Sequence, residues 1–398
     1  MLEGPKLEKA IREMLARLGI VNSIYIRKIA KQIKRIGELN QSSVNRLVAM
    51  AQMNADIGEI TDALRIATGA NLVTLRKVFE LALQESYTDP RFKLYLSENP
   101  DALRPEARKR IEQYVQTVYR QTAENMINLS NTTAITPGYV EAIDKAILAT
   151  STGVSSYTET MRSTVREIGE SGMQVVYASG YHRRLDTAVR QNIVDGVNQI
   201  NKTASVMIGE SLNEQAGADV YDAIEISAHA RSAPDHEPVQ GRVFLKEQYE
   251  RMQAGRGFTD IDGHRYDGFK RQIGEWNCRH TPMSFSTVWS KRKWTDAQLQ
   301  QFAEENEKGC TIDGKHKTLY EAMQMMRGIE TQVRREKDAA IAAQAAGDDA
   351  LRQQCQLNIN ALVRKYAEIA RASGNAEKRQ RMTVEGFKAV KVKAGNQH

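Results

Sequence analysis

The sequence predicts a mostly α-helical chain with one small α+β module set between helical regions. Three observations carry this. Apolar residues recur at helical spacing through the first half. Between residues 217 and 293 that period gives way to alternation and turn dipeptides. After Trp294 helical spacing returns and ends in two long segments meeting at Gly347-Asp348. The regions so defined are a multi-helix N-terminal region at 1–130, a helical region at 131–216, the compact module at 217–293 and a C-terminal helical hairpin with a basic tail at 294–398.

In SIYIRKIAKQIKRIGEL, Ile26, Ile29, Ile33 and Ile36 fall on one helical stripe with Lys and Arg between them. Leu72, Leu75, Phe79 and Leu83 form a second stripe. Ile111, Val115, Val118, Met126 and Leu129 form a third. Thr136-Pro137 reads as an N-cap followed by proline at the first helical position, with Gly153 as the stop. Helices are expected next over about 155–170 and 182–215. An apolar stripe of this kind normally faces a core.

Past Ala216-Gly217 the segment Ile224-Glu-Ile-Ser-Ala228 alternates as a half-buried strand does. Turn dipeptides follow, with short candidate strands at Arg242-Val-Phe244 and Phe258-Thr259. A helix starts at Thr295. Two more, from Tyr320 to Ala346 and from Asp348 to Ser373, make the hairpin. The tail after Ser373 reads as basic and flexible.

Composition narrows the function classes. The chain has 398 residues, 41% hydrophobic and 26% charged, which suits a globular protein of more than one domain. No apolar run reaches the roughly 20 residues of a membrane span, and the N-terminus lacks a signal-peptide pattern. Three scattered cysteines make no disulfide framework and point to a reducing compartment. Formal net charge is +7, concentrated at the ends. Residues 1–40 hold nine Lys/Arg against four Asp/Glu, and residues 327–393 hold fourteen against eight. Such ends favour contact with a polyanion. The tail candidates for nucleic-acid contact are Lys378, Arg379, Arg381, Lys388, Lys391 and Lys393.

Four of the seven histidines fall in the small module. His229 and His236 lie in SAHARSAPDHEPVQG, and Cys278 and His280 lie in NCRH. The pattern H-x6-H, a gap, then C-x-H offers four ligands of the type structural zinc uses. A turn-rich module with thin strands gains from such a staple. Two alternatives stand beside it: a metal-free hydrogen-bonded cluster, and a Cys–His catalytic pair. Asp260, Asp262 and His264 in FTDIDGHRYDG suggest a hydrolytic metal site but read more simply as a hairpin turn. P-loop, dinucleotide, G-x-S-x-G and H-E-x-x-H patterns are absent.

Three blocks together resemble the phage minor capsid protein 2 family, related to the Mu F-like head-morphogenesis proteins. They are Tyr177-Ala-Ser-Gly180 with Arg183 to Arg190, the stretch from Ile226 through His229 and His236 to Gly241, and Asn277-Cys-Arg-His280. The resemblance spans roughly 130–390. It implies a minor head protein, non-enzymatic, with the portal protein, other head proteins and double-stranded DNA as partners. It places the protein in the virion, inside the head near the portal, and in the host cytoplasm during assembly, with a role in head morphogenesis and in packaging or ejection of DNA. The family pattern has an arginine before the proline; Ala233 stands there in this chain. A metal-dependent hydrolase or nuclease of the phage head is the alternative.

Overall fold

The computed structural model describes residues 5–38, 43–152, 157–268, 272–274, 278 and 280–392. Among them the chain runs α1 (Pro5–Glu38), α2 (Ser43–Tyr87), α3 (Pro90–Glu98), α4 (Pro105–Asn131), α5 (Ile135–Thr152) and α6 (Tyr157–Ser171). A hairpin of β1 (Gln174–Val176) and β2 (His182–Arg184) leads into α7 (Leu185–Ala216). Then come β3 (Ala223–Ile226), β4 (Val243–Leu245), α8 (Lys246–Gln253), β5 (Phe258–Thr259), β6 (Arg265–Tyr266) and β7 (Pro282–Phe285). The remainder is α9 (Asp296–Lys308), β8 (Cys310–Ile312), β9 (Lys315–Lys317), α10 (Leu319–Ala346) and α11 (Asp349–Ser373). The predicted class, mostly α with a small α+β part, is the observed one.

The chain forms two compact units. One comprises residues 1–11, 72–125 and 191–321; the other comprises 12–71, 126–190 and 322–398. In the first, α7 backs a three-stranded antiparallel sheet of order β4-β3-β7. Gly209 makes this possible: a Cβ there would lie 2.6 Å from Ser284 Oγ, so only glycine lets the helix come so close to β7. Phe92, Tyr95, Ile111, Ile208, Leu212 and Tyr221 form one core of this unit. Ile226, Phe244, Met252, Phe258 and Ile273 form a second under the sheet.

In the second unit the α1 stripe does what its spacing predicts. Ile26, Ile29 and Ile33 are fully buried, each contributing about 1.5–3 kcal/mol by leaving water. Ile36's side chain lies outside the described residues. Helices α10 and α11 form the expected hairpin, with Gly347 in the left-handed conformation at φ 76° and Asp348 capping α11 through Leu351 N–H.

Four sequence expectations need correction. Helix α5 begins at Ile135, so Thr136 lies inside it and Pro137 sits in the first turn, where its missing N–H leaves no intrahelical bond unmade. The expected stop at Gly153 lies outside the described residues. Residues 182–184 are strand rather than helix. Gly180 at φ 77° closes a turn that pairs Val176 with His182, and helix starts only at Leu185. The third correction concerns β3, which is buried on both faces rather than one; Glu225 is wholly enclosed. Its carboxylate accepts from Arg91 Nη1 at 3.0 Å and from the Lys293 backbone N–H at 2.7 Å.

The fourth correction is the tail, which is a strap rather than a loose arm. Tyr366 Oη accepts from Lys378 N–H at 2.8 Å, and Gln356 Oε1 accepts from Val390 N–H at 3.2 Å. Arg334 donates to the Arg381 carbonyl, Lys337 to that of Met382, Arg27 to that of Gly386 and Arg352 to that of Lys388. The strap therefore runs back along α11.

Candidate metal centre

Strands β3 and β7 pair antiparallel with Ile226 opposite Pro282. The ladder continues beyond the strands: Ser227 N–H donates to the Thr281 carbonyl at 3.0 Å, and Thr281 N–H donates to Ser227 Oγ at 2.8 Å. This pairing carries His229 and His280 out on neighbouring chains. Their rings stack, with centroids 4.6 Å apart and planes 17° apart. Between Arg231, at φ 69°, and Gly241, at φ 66°, the chain folds back on itself. Gly241 N–H donates to the Ile226 carbonyl, and His229 N–H to Gln240 Oε1. The loop so closed delivers His236 next to Cys278. From the other side Asn198 on α7 donates to the Cys278 carbonyl at 3.4 Å.

His236, Cys278 and His280 come together, all three buried. Cys278 Sγ lies 3.4 Å from His236 Nδ1 and 3.6 Å from His280 Nδ1. Zinc bonds of 2.3 Å to sulfur and 2.0–2.1 Å to nitrogen at a tetrahedral angle require S···N edges of about 3.5 Å. The observed edges have that length. With both Nδ1 atoms turned to the sulfur, the rings present Nε2 outward. His280 Nε2 meets Ser232 Oγ at 3.2 Å, and His236 Nε2 faces the Asp235 carboxylate at 3.8 Å. Partners on the outer nitrogen fix ring orientation in metal-bound histidines. The group can therefore hold a metal ion.

Of the four ligands expected from sequence, three share this point. His229 is placed instead against the face of His280, outside the three-residue group. Ser232 was not singled out by its spacing; only its place between two histidines of a turn-rich stretch could have marked it. Asn277 and Arg279 lie outside the described residues.

Asp260, Asp262 and His264 also gather, as a turn. Asp260 Oδ1 accepts the backbone N–H groups of Asp262 and His264, and Oδ2 accepts from Tyr266 Oη and meets His264 Nδ1, both at 2.9 Å. This latches the β5–β6 hairpin that the sequence predicted. Arg242 and Arg292 approach the same carboxylates and bind Asp296. Burial and the Asp260 hydrogen bond push the Tyr266 hydroxyl well above its usual range. Two guanidiniums beside two carboxylates leave little negative charge for a cation.

The tail cations divide. Lys378 and Arg379 are exposed near the C-terminal half of α11, and Arg379 pairs with Glu377. Arg381 is half-buried, 4.0 Å from Glu330. Lys388 and Lys391 are exposed beside the start of α11. Lys393 lies outside the described residues.

The fold defines a mostly helical chain whose small sheet gathers His, Cys and His from the connections between β3 and β7. The chain belongs to the phage minor capsid protein 2 family, whose model matches residues 4–369. It is thus a minor capsid protein, a component of the virion. No curated protein and no solved structure matches it. Among the described residues no helix is long and apolar enough to cross a membrane.

Proposed function

We propose that the protein is a portal-associated minor head protein, acting without enzymatic activity in head morphogenesis and in packaging or ejection of DNA. The family match over residues 4–369 carries this reading. The portal protein and other head proteins are its protein partners, and double-stranded DNA is its nucleic-acid partner. It assembles in the host cytoplasm and resides inside the head near the portal. Cross-linking mass spectrometry of purified procapsids tests the placement: cross-links to portal subunits are expected. Recovery of the protein only in tail fractions, or its absence from particles, sinks the reading.

In this proposal His236, Cys278 and His280 hold a structural zinc, with His229 stacked as a cover on His280. Elemental analysis of the full chain should find roughly one zinc per molecule. His236→Ala and Cys278→Ala should each release it and lower the melting temperature, because metal affinity is folding free energy at such a site. A wild-type protein free of zinc when purified without chelator ends the metal assignment.

Ser232→Ala separates the metal site from a plain hydrogen-bonded cluster. Loss of the partner on the outer nitrogen should weaken zinc binding about 10–100-fold while the fold persists. Competition with a chromogenic chelator reads this out; unchanged affinity would show that Ser232 does not orient the ligand.

One observation favours a hydrolase as the second reading: three protein ligands are the number that catalytic zinc sites supply. Zinc-dependent cleavage of duplex DNA, lost in His236→Ala, would establish it. A zinc-loaded protein that cleaves nothing leaves the structural role.

A further inference from the structure

The sequence placed positive charge at both ends of the chain as two separate excesses. The second unit joins them. The C-terminal third of α1 carries Arg27, Lys28, Lys31, Lys34 and Arg35. Lys28 is engaged by Asp56 and Glu59. Lys31, Lys34 and Arg35 are exposed. Arg27 holds the Gly386 carbonyl at 2.8 Å, which lays the tail against this helix. Arg352, in the first turn of α11, holds the Lys388 carbonyl at 3.3 Å. The turn between α10 and α11 also sits against α1: a Cβ on Gly347 would lie 3.2 Å from Lys34 Nζ.

We infer that the end of α1, the start of α11 and tail residues 386–391 make one basic face that binds the phosphate backbone of duplex DNA without reading its sequence. Its exposed cations are Lys31, Lys34 and Arg35 from α1 and Lys388 and Lys391 from the tail. Among the described residues, Asp56 and Glu59 are engaged by Lys28 and Asp348 is held by Arg162 Nε at 2.8 Å, with Asp349 and Glu385 also nearby. From Arg27 to Arg35 the helix rises about 12 Å, the length of three to four phosphates on one strand.

The surface chemistry selects among polyanions. A membrane-surface helix sets large apolar side chains beside its cations, and a protein interface carries an apolar centre. None of the exposed large apolar side chains among the described residues falls within 27–35 or 386–391. A face of cations alone fits a phosphate backbone best.

The inference rests on the head-protein reading and narrows it. Lys378 and Arg379 drop out of the contact. Lys378 is anchored at Tyr366 and Lys388 at Arg352, fourteen helical residues apart, or about 21 Å along α11.

The test is equilibrium binding of the full chain to unrelated duplex sequences over a salt series. Wild type should bind all of them alike, with log K falling linearly against log salt. K31E/R35E and K388E/K391E should each reduce that slope by about 2, roughly one for each cation removed. K378E/R379E, and K109E at an exposed site in the other unit, should leave it unchanged. Circular dichroism melts confirm that each variant is folded. Equal losses in K378E/R379E, or an effect of the tail pair without the α1 pair, would overturn the shared face in favour of a simple basic arm. Binding to an acidic protein or to anionic vesicles with none to duplex DNA overturns the choice of partner. Absence of the protein from purified heads overturns the head reading separately, whatever the binding result.

Discussion

Arg91→Ala is expected to destabilise the unit carrying the His/Cys group by about 3–5 kcal/mol, the cost of breaking a buried ion pair from one side. Arg91 is 6% exposed, yet it sits between two carboxylates. It donates to Glu225 at 3.0 Å and pairs with Asp89. Asp89 also caps α3 through Arg91 N–H. Glu225 has no exposed surface, and burial pushes its carboxyl up, against the pull of the Lys293 N–H and Arg91. Removing the guanidinium leaves a charge inside the central strand of the sheet. Glu225→Gln added to Arg91→Ala should recover part of the loss, since the neutral amide needs no cation. All three tryptophans, at 276, 289 and 294, fall within the sequence range 191–321. Denaturant unfolding followed by tryptophan fluorescence therefore reports the right part of the molecule. A loss under 1 kcal/mol for Arg91→Ala would show that the pair is not what encloses Glu225.

The same residue shows where the sequence stops being legible. Helical stripes such as Ile26, Ile29 and Ile33 could be read because period and burial come from one local cause. Glu225 read as the solvent side of an alternating strand, because its partner lies 134 positions away and leaves no local mark. Strands β7, β8 and β9 escaped notice for a related reason. They are three or four residues long, β7 opens with proline, and no alternation can be seen over so few positions. The His/Cys group was legible through scarcity: few histidines, most in one module, with turn residues able to bring them together. Its second layer was not, since Ser232 differs in no pattern from other serines. The tail misled because basic composition suggests an arm, whereas its order comes from Arg27, Arg334, Lys337 and Arg352 reaching its carbonyls from three helices.

Stability of the second unit should fall as pH rises from about 4 to 6, and Asp338 is the cause. This residue of α10 is fully buried. Its Oδ2 accepts from Arg184 at 2.8 Å and its Oδ1 from Asn22 at 3.3 Å. Burial pushes its carboxyl from the ordinary 3.8 up to about 6, only partly countered by Arg184 and Arg334 and reinforced by Asp186. A carboxyl with a raised folded pKa binds its proton more tightly in the folded state. The stability it contributes is complete below pH 3.8 and is lost as pH climbs through 6. The gap from 3.8 to about 6 corresponds to ~3 kcal/mol. Asp186 runs the other way: despite burial, Arg184 and Arg334 hold its carboxyl below 3.8, so its contribution disappears only in stronger acid. The two together should place an optimum near pH 4. Asp338→Asn should remove the fall between pH 4 and 6, because the amide oxygen still accepts from Arg184 and carries no charge to bury. Hydrogen exchange of α10 amides across this range, corrected for the intrinsic pH dependence of exchange, is the direct measurement. A wild-type profile as flat as that of Asp338→Asn would show that Arg184 and Arg334 neutralise the buried carboxylate completely.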